Sequence, residues 1–292
     1  MRSERRTWGE MRVGRLIAIA VALTAAGGSA AMALQSARQS TTIDPKAFGT
    51  ALAKCPNGGT PLSGGFAAPG FDPTGAGATV GRLGSKPVRK GGIETRAFNF
   101  GGAAGDIVSY AYCALHSHGL RVTTATKRVP SQSARTVIAR CPAGTEAVGG
   151  GFGTYKFSQP DGPTVLPLTS KRFGDRGWKV LGVNFPMGPM TRPGTVVAHA
   201  YCAAVPYKLI TAHKSVSPPP GSVKTFDVPC PSHARAVSGG FDGHVLIQGT
   251  QSTATAAITS KRAGGGRVWR TSALSTFETP GTSTAYAYCR KR

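Results

Sequence analysis

The chain has 292 residues, 40 of them glycine and 21 proline, with 40% apolar and only 16% charged side chains. That balance excludes a disordered polyelectrolyte, and its many turn formers argue against a long-helix protein. Thirty-five Lys and Arg side chains against 12 Asp and Glu give +23, which points to anionic partners held by an attraction that salt screens.

The first 33 residues read as an export leader. Arg2, Arg5, Arg6, Arg12 and Arg15 form a basic opening, Leu16 to Ala26 is an apolar run, and Ala31-Met32-Ala33 is a cleavage pattern. Eleven helical residues span roughly 16 Å, short of a hydrocarbon core about 30 Å thick. Leu34 is therefore expected as the first mature residue, with an uncleaved anchor over Leu16 to Ala33 as the alternative. Cleavage leaves 30 basic and 10 acidic side chains, a charge of +20. No second apolar run is long enough to cross a membrane.

Beyond the leader one pattern recurs three times. Cys55 to Phe66 reads CPNGGTPLSGGF, Cys141 to Phe152 reads CPAGTEAVGGGF, and Cys230 to Phe241 reads CPSHARAVSGGF. A Ser-Lys step follows each copy, at Ser85-Lys86, Ser170-Lys171 and Ser260-Lys261. After the next turn come Trp178 and Trp269, for which Phe98 or Phe100 is the expected substitute in the first copy. Each copy closes on Ala-Tyr-Cys, at Cys113, Cys202 and Cys289.

Short apolar runs, abundant Thr and Val, and glycine-bearing turns make each copy about six short strands. Glycines inside the Gly-Gly-Phe strand predict a bulge or a close backbone approach. At period two, Ala198, Ala200 and Cys202 share one face and His199 and Tyr201 the other. The tyrosine face is either a second buried side or an exposed ladder.

The six cysteines fall in pairs 58, 61 and 59 residues apart, one opening and one closing each copy. The repeat predicts bridges Cys55–Cys113, Cys141–Cys202 and Cys230–Cys289, formed after export. A zinc site is disfavoured, because there is no C-x-x-C pair and no histidine at a recurring offset. The fold expected is all-β, with three tandem homologous disulfide-bonded β-sandwich-like units. Their bounds are 34–128, 129–216 and 217–292, after a signal peptide at 1–33. A closed pseudo-threefold β-prism is the alternative.

The ordered set of Cys-Pro-x-Gly, Gly-Gly-Gly-Phe, tryptophan and Ala-Tyr ahead of the closing cysteine resembles a repeat of secreted actinobacterial and other bacterial proteins, mostly without assigned function. The Cys-Pro-x-Gly opening and the threefold repetition also resemble the vitelline membrane outer layer protein family, which implies a prism of three sheets. Neither resemblance implies catalytic residues.

The candidate binding residues are basic and sit around the hairpin after each Ser-Lys: Lys86, Arg89 and Lys90; Lys171, Arg172 and Arg176; Lys261, Arg262 and Arg267. Three equivalent cationic trios suit a repeating anion, because linked weak sites gain avidity and arginine forks match phosphate and carboxylate. The expectation is a secreted, non-catalytic protein that binds anionic envelope or extracellular polymers. No cofactor, no metal and no specific nucleic acid is expected. A neutral-glycan lectin using Tyr201 and Tyr288 is the second reading. A secreted hydrolase is the third, with Asp161, Asp175, Asp227, Asp242 and Glu278 as its available carboxylates. His116-x-His118 reads as a surface pair. No nucleophile elbow, zinc-protease motif or phosphate loop is present.

Overall fold

Each copy of the repeat alternates small or apolar side chains with polar ones at period two, and each becomes a set of antiparallel strands. The structure is a computed structural model. It describes residues 34–291 apart from 90, 115–119, 156–163, 186–191, 205–206, 249–250 and 277–280. The leader, Lys90, His116, His118, Asp161 and Glu278 lie outside the described residues.

The first unit holds β1 (Gln35–Ile43), β2 (Phe48–Lys54), β3 (Thr60–Ala67), β4 (Val80–Val88), β5 (Gly92–Asn99) and β6 (Gly105–Ala114). The second holds β7 (Arg121–Val129), β8 (Ser133–Arg140), β9 (Glu146–Tyr155), β10 (Thr164–Phe173), β11 (Gly177–Phe185) and β12 (Gly194–Ala203). The third holds β13 (Ile210–Val216), β14 (Val223–Pro229), β15 (Ala234–Gly243), β16 (Val245–Gln248), β17 (Gln251–Ala263), β18 (Val268–Thr276) and β19 (Ser283–Lys291). By pairing, β7 goes with β12 and β13 with β19. The units therefore begin about one strand earlier than residues 129 and 217, because the linking strand completes the sheet that follows it.

The protein is all-β, and each unit is a sandwich of two three-stranded sheets, with β16 added beside β17 in the third. In the first unit β1-β6-β3 faces β2-β5-β4, and the other units repeat the arrangement. A disulfide crosses each sandwich, from the turn after the second strand to the last strand. The bridges are Cys55–Cys113, Cys141–Cys202 and Cys230–Cys289, with Cα separations of 5.8, 5.5 and 5.8 Å. Each closes a loop of about sixty residues, worth about 4 kcal/mol on the chain-entropy account.

The units join edge to edge. β4 meets β9, β10 meets β15, and β17 meets β3, so three larger sheets form, each drawn from two units. Every sheet stays open, yet the units link first to second, second to third, and third back to first. The sandwich-like units are thus linked in a cycle, but with every sheet open the closed β-prism offered as the alternative does not form. Each joint is short: Ser85 pairs with Phe152, Ser170 with Phe241, and Ser260 with Phe66, plus one neighbouring pair apiece.

The glycines explain why the joints close so tightly. A side chain at Gly150 or Gly239 would collide with the indole of Trp178 or Trp269. At Gly64 it would meet Ile93 instead, so Ile93 holds the tryptophan's place in the first unit, not Phe98 or Phe100. Gly65, Gly151 and Gly240 each lie under the backbone carbonyl of a neighbouring unit's joint serine, where a Cβ does not fit. A bulge interrupts the register beside each glycine pair, at Leu62, Val148 and Val237.

Phe66, Phe152 and Phe241 converge on the axis. Their rings pack edge to face at 5.7 to 5.8 Å between centroids. Arg82 lies over all three rings, 4.5 to 5.7 Å from their centroids, and its Nη2 donates to the Pro167 carbonyl at 2.8 Å. Burial pulls this guanidinium down to about 9, which leaves it charged at neutral pH.

Candidate functional site

The alternation in the closing strand decides what surrounds the cationic hairpins. Ala285, Ala287 and Cys289 turn into their own sandwich and are fully buried. Tyr286 and Tyr288 face the neighbouring unit's Ser-Lys strand. The tyrosine face is therefore a joint between units and not an exposed ladder: Tyr112, Tyr201 and Tyr288 are at most 2% exposed.

The joint between the second and third units is the most fully paired. The Tyr288 hydroxyl accepts the Arg172 backbone N–H at 2.8 Å, and Lys171 Nζ donates to Tyr286 Oη at 3.1 Å and to Asp242. Burial lowers the Lys171 ammonium's pKa, but the bonds to Asp242 and Tyr286 outweigh it and the net shift is upward. The Arg172 side chain donates to the Ala147 and Asp175 carbonyls and lies near the carboxylates of Glu146 and Asp175, at 3.8 and 3.2 Å. Trp178 Nε1 donates to Ser170 Oγ at 2.9 Å.

The third-to-first joint keeps the tyrosine contacts but not the acids. The Tyr112 hydroxyl accepts the Arg262 N–H at 2.7 Å, Lys261 Nζ donates to Tyr110 Oη at 3.2 Å, and Trp269 Nε1 donates to Ser260 Oγ at 2.9 Å. The Arg262 guanidinium lies 4.6 Å from the Tyr112 ring centroid, and burial lowers its pKa.

At the first-to-second joint Pro87 stands where Arg172 and Arg262 stand elsewhere. Proline has no N–H, and the buried Tyr201 hydroxyl is left without a partner. His199 replaces the outer tyrosine, sharing a hydrogen bond with Thr124 through Nδ1 at 3.1 Å while Nε2 has none. Burial, and then the nearby Lys86 charge, depress its pKa to about 4. Lys86 itself lies 3.4 Å from Glu94.

The eight described members of the nine sequence-predicted cations therefore divide. Lys171, Arg172, Lys261 and Arg262 are woven into joints, and Lys86 is paired on its own sheet. Arg89, Arg176 and Arg267 are exposed around the hairpins, although Arg176 also donates to the Cys141 carbonyl. Each hairpin docks on its own cysteine turn, where the amides of Cys55, Cys141 and Cys230 donate to Gly91, Arg176 and Arg267. Each hairpin occupies the same place in the strand pairing of its own unit. Of the carboxylates available to a hydrolase, Asp175 pairs with Arg172, Asp227 with Arg270 and Asp242 with Lys171.

The structure also brings in residues that hairpin spacing did not identify. A cavity of about 480 Å³ opens at the third-to-first joint, lined by Arg38, Arg235, Arg262 and Tyr110 among others. Superposing the three Cys-to-Phe motifs was the available signal, since Arg235 falls where the second copy has Glu146. No protein-family model matches the chain, and a search of curated proteins finds no match.

Proposed function

We propose that this is a secreted, non-catalytic protein that associates with anionic envelope or extracellular polymers. The observation that carries the reading is the uneven fate of its charges. Carboxylates such as Glu94, Asp175, Asp227 and Asp242 lie against cations, whereas Arg89, Arg176 and Arg267 stay exposed on the hairpins of three linked units, Arg176 and Arg267 at matching positions and Arg89 two residues before Gly91, which takes that position in the first unit. A polymer that meets three such positions gains avidity from the linkage. Three disulfides support an oxidising compartment, in keeping with the leader-like residues 1–33. Among the described residues no helix is long and apolar enough to cross a membrane.

The test is retention on a polyanion resin across a salt series. Replacing Arg89, Arg176 and Arg267 together by Ser should lower the salt needed for elution and flatten its log–log dependence by about one unit per cation removed. Unchanged retention overturns the proposal. The neutral-glycan reading through Tyr201 and Tyr288 loses its support, because both rings are buried in the joints.

A further inference from the structure

Pseudo-symmetry supplies an internal control for the cavity at the third-to-first joint. In the second unit, Glu146 and Asp175 lie against Arg172, and Asp242 of the third unit lies against Lys171. The corresponding cations of the third unit are Arg262 and Lys261. Around them all three acids are gone. Arg235 stands for Glu146, the glycine tip 264–266 stands for Gly174-Asp175, and Ala67 stands for Asp242. The first of these changes reverses charge, and the second removes the side chain that would fill the space.

The consequence is a concave site with three arginines on its wall, Arg38, Arg235 and Arg262, and with Lys261, outside that wall, donating to the lining Tyr110. Among the described residues none of these four makes an ion pair. Among the described residues the Arg262 guanidinium donates to a carbonyl, that of Leu34 at 3.4 Å, and its face is held against Tyr112. Like charges gathered in one concavity repel, and an anion carrying more than one negative charge removes that repulsion. Guanidinium forks match tetrahedral oxyanions through paired N–H donors.

We infer that this cavity is a binding site for a phosphate-type dianion or oligoanion, either free or at the end of a polymer. The inference rests on the polyanion reading and gives it one specific place.

Calorimetric titration of the full chain with inorganic pyrophosphate tests it, beside retention on a polyphosphate resin. The decisive variant is Arg235→Glu, which writes the second unit's residue into the third at an exposed position. Lys224→Glu, exposed on β14, makes the same charge change away from the cavity. The expected result is one saturable site, weakened about tenfold or more by Arg235→Glu and less than about threefold by Lys224→Glu, since a screened remote charge contributes little. Arg38→Glu, on a different strand, should repeat the loss if Arg235→Glu lowers the melting temperature. Equal weakening by the cavity and control variants overturns the site, as does pyrophosphate binding without saturation. Polyphosphate retention that persists alongside either result leaves the general polyanion reading standing. Loss of both in the unaltered protein removes both. Binding of pyrophosphate without any effect of polyphosphate identifies a free ligand, and competition between the two identifies a polymer end.

Discussion

The second-to-third joint and the first-to-second joint share one backbone design but differ in what their polar groups find. At the former, Tyr288, Lys171, Arg172 and Trp178 all meet partners. At the latter, His199 Nε2 and the Tyr201 hydroxyl are buried without one. Both joints nevertheless keep the same two-residue pairing between a serine and the axial phenylalanine. The joints are thus held by burial around the phenylalanines, and the polar ties vary on top of that. Burial is insensitive to which neighbour supplies it, whereas a hydrogen bond needs a particular donor in a particular place. Once the phenylalanines carry the assembly, one joint is free to lose its donors and another its acids.

The most severe way to break this comparison is at the axis. Phe152→Ala removes one ring from the triad and one face from Arg82, and should cost about 3–5 kcal/mol in denaturant unfolding. Phe173→Ala, on a hairpin where the ring is 43% exposed, should cost far less. If the two losses are equal, the axial rings do not hold the units together.

Acid should open the first-to-second joint before the second-to-third. His199 has its folded pKa depressed to about 4, below the ordinary 6.5. Between those values the unfolded chain binds a proton that the folded one does not, so stability falls as pH drops from about 6.5 to about 4. The full shift corresponds to at most about 3 kcal/mol. His199→Tyr, which copies Tyr110 and Tyr286, should flatten stability across that window. A pH dependence that survives the substitution contradicts the assignment.

The smallest effect sharpens the comparison most. Tyr288→Phe removes a hydroxyl that accepts the Arg172 amide and should cost about 1 kcal/mol. Tyr201→Phe removes a hydroxyl that has no partner and should be neutral or stabilising. Opposite signs from the same chemical change would confirm that Pro87 is the cause. Matched losses would show that the Tyr201 hydroxyl is satisfied after all.

Much of this was legible in the residues. The disulfide partners follow from a repeat with one cysteine at each end. The strands follow from period-two alternation, and the need for glycine beside the axial phenylalanine follows from its recurrence. The tyrosine face was ambiguous because alternation distinguishes two faces of a strand without saying what lies against either. The exposed cations were separable from the structural ones only after Lys171 and Lys261 were seen to reach across to tyrosines of another unit, 115 and 151 residues away in the chain.

By itself the sequence determined the class of fold, the three units, their sulfur bridges and the excess of positive charge. These depend on local periodicity and on composition, which a linear chain displays. The tertiary structure alone decided that the units link in a cycle, that Tyr112, Tyr201 and Tyr288 are internal, and that one joint gathers arginines with none of the second unit's acids to meet them. Each of those depends on which short edge pairs with which, a contact of two residue pairs between distant segments whose geometry is set by packing around three phenylalanines.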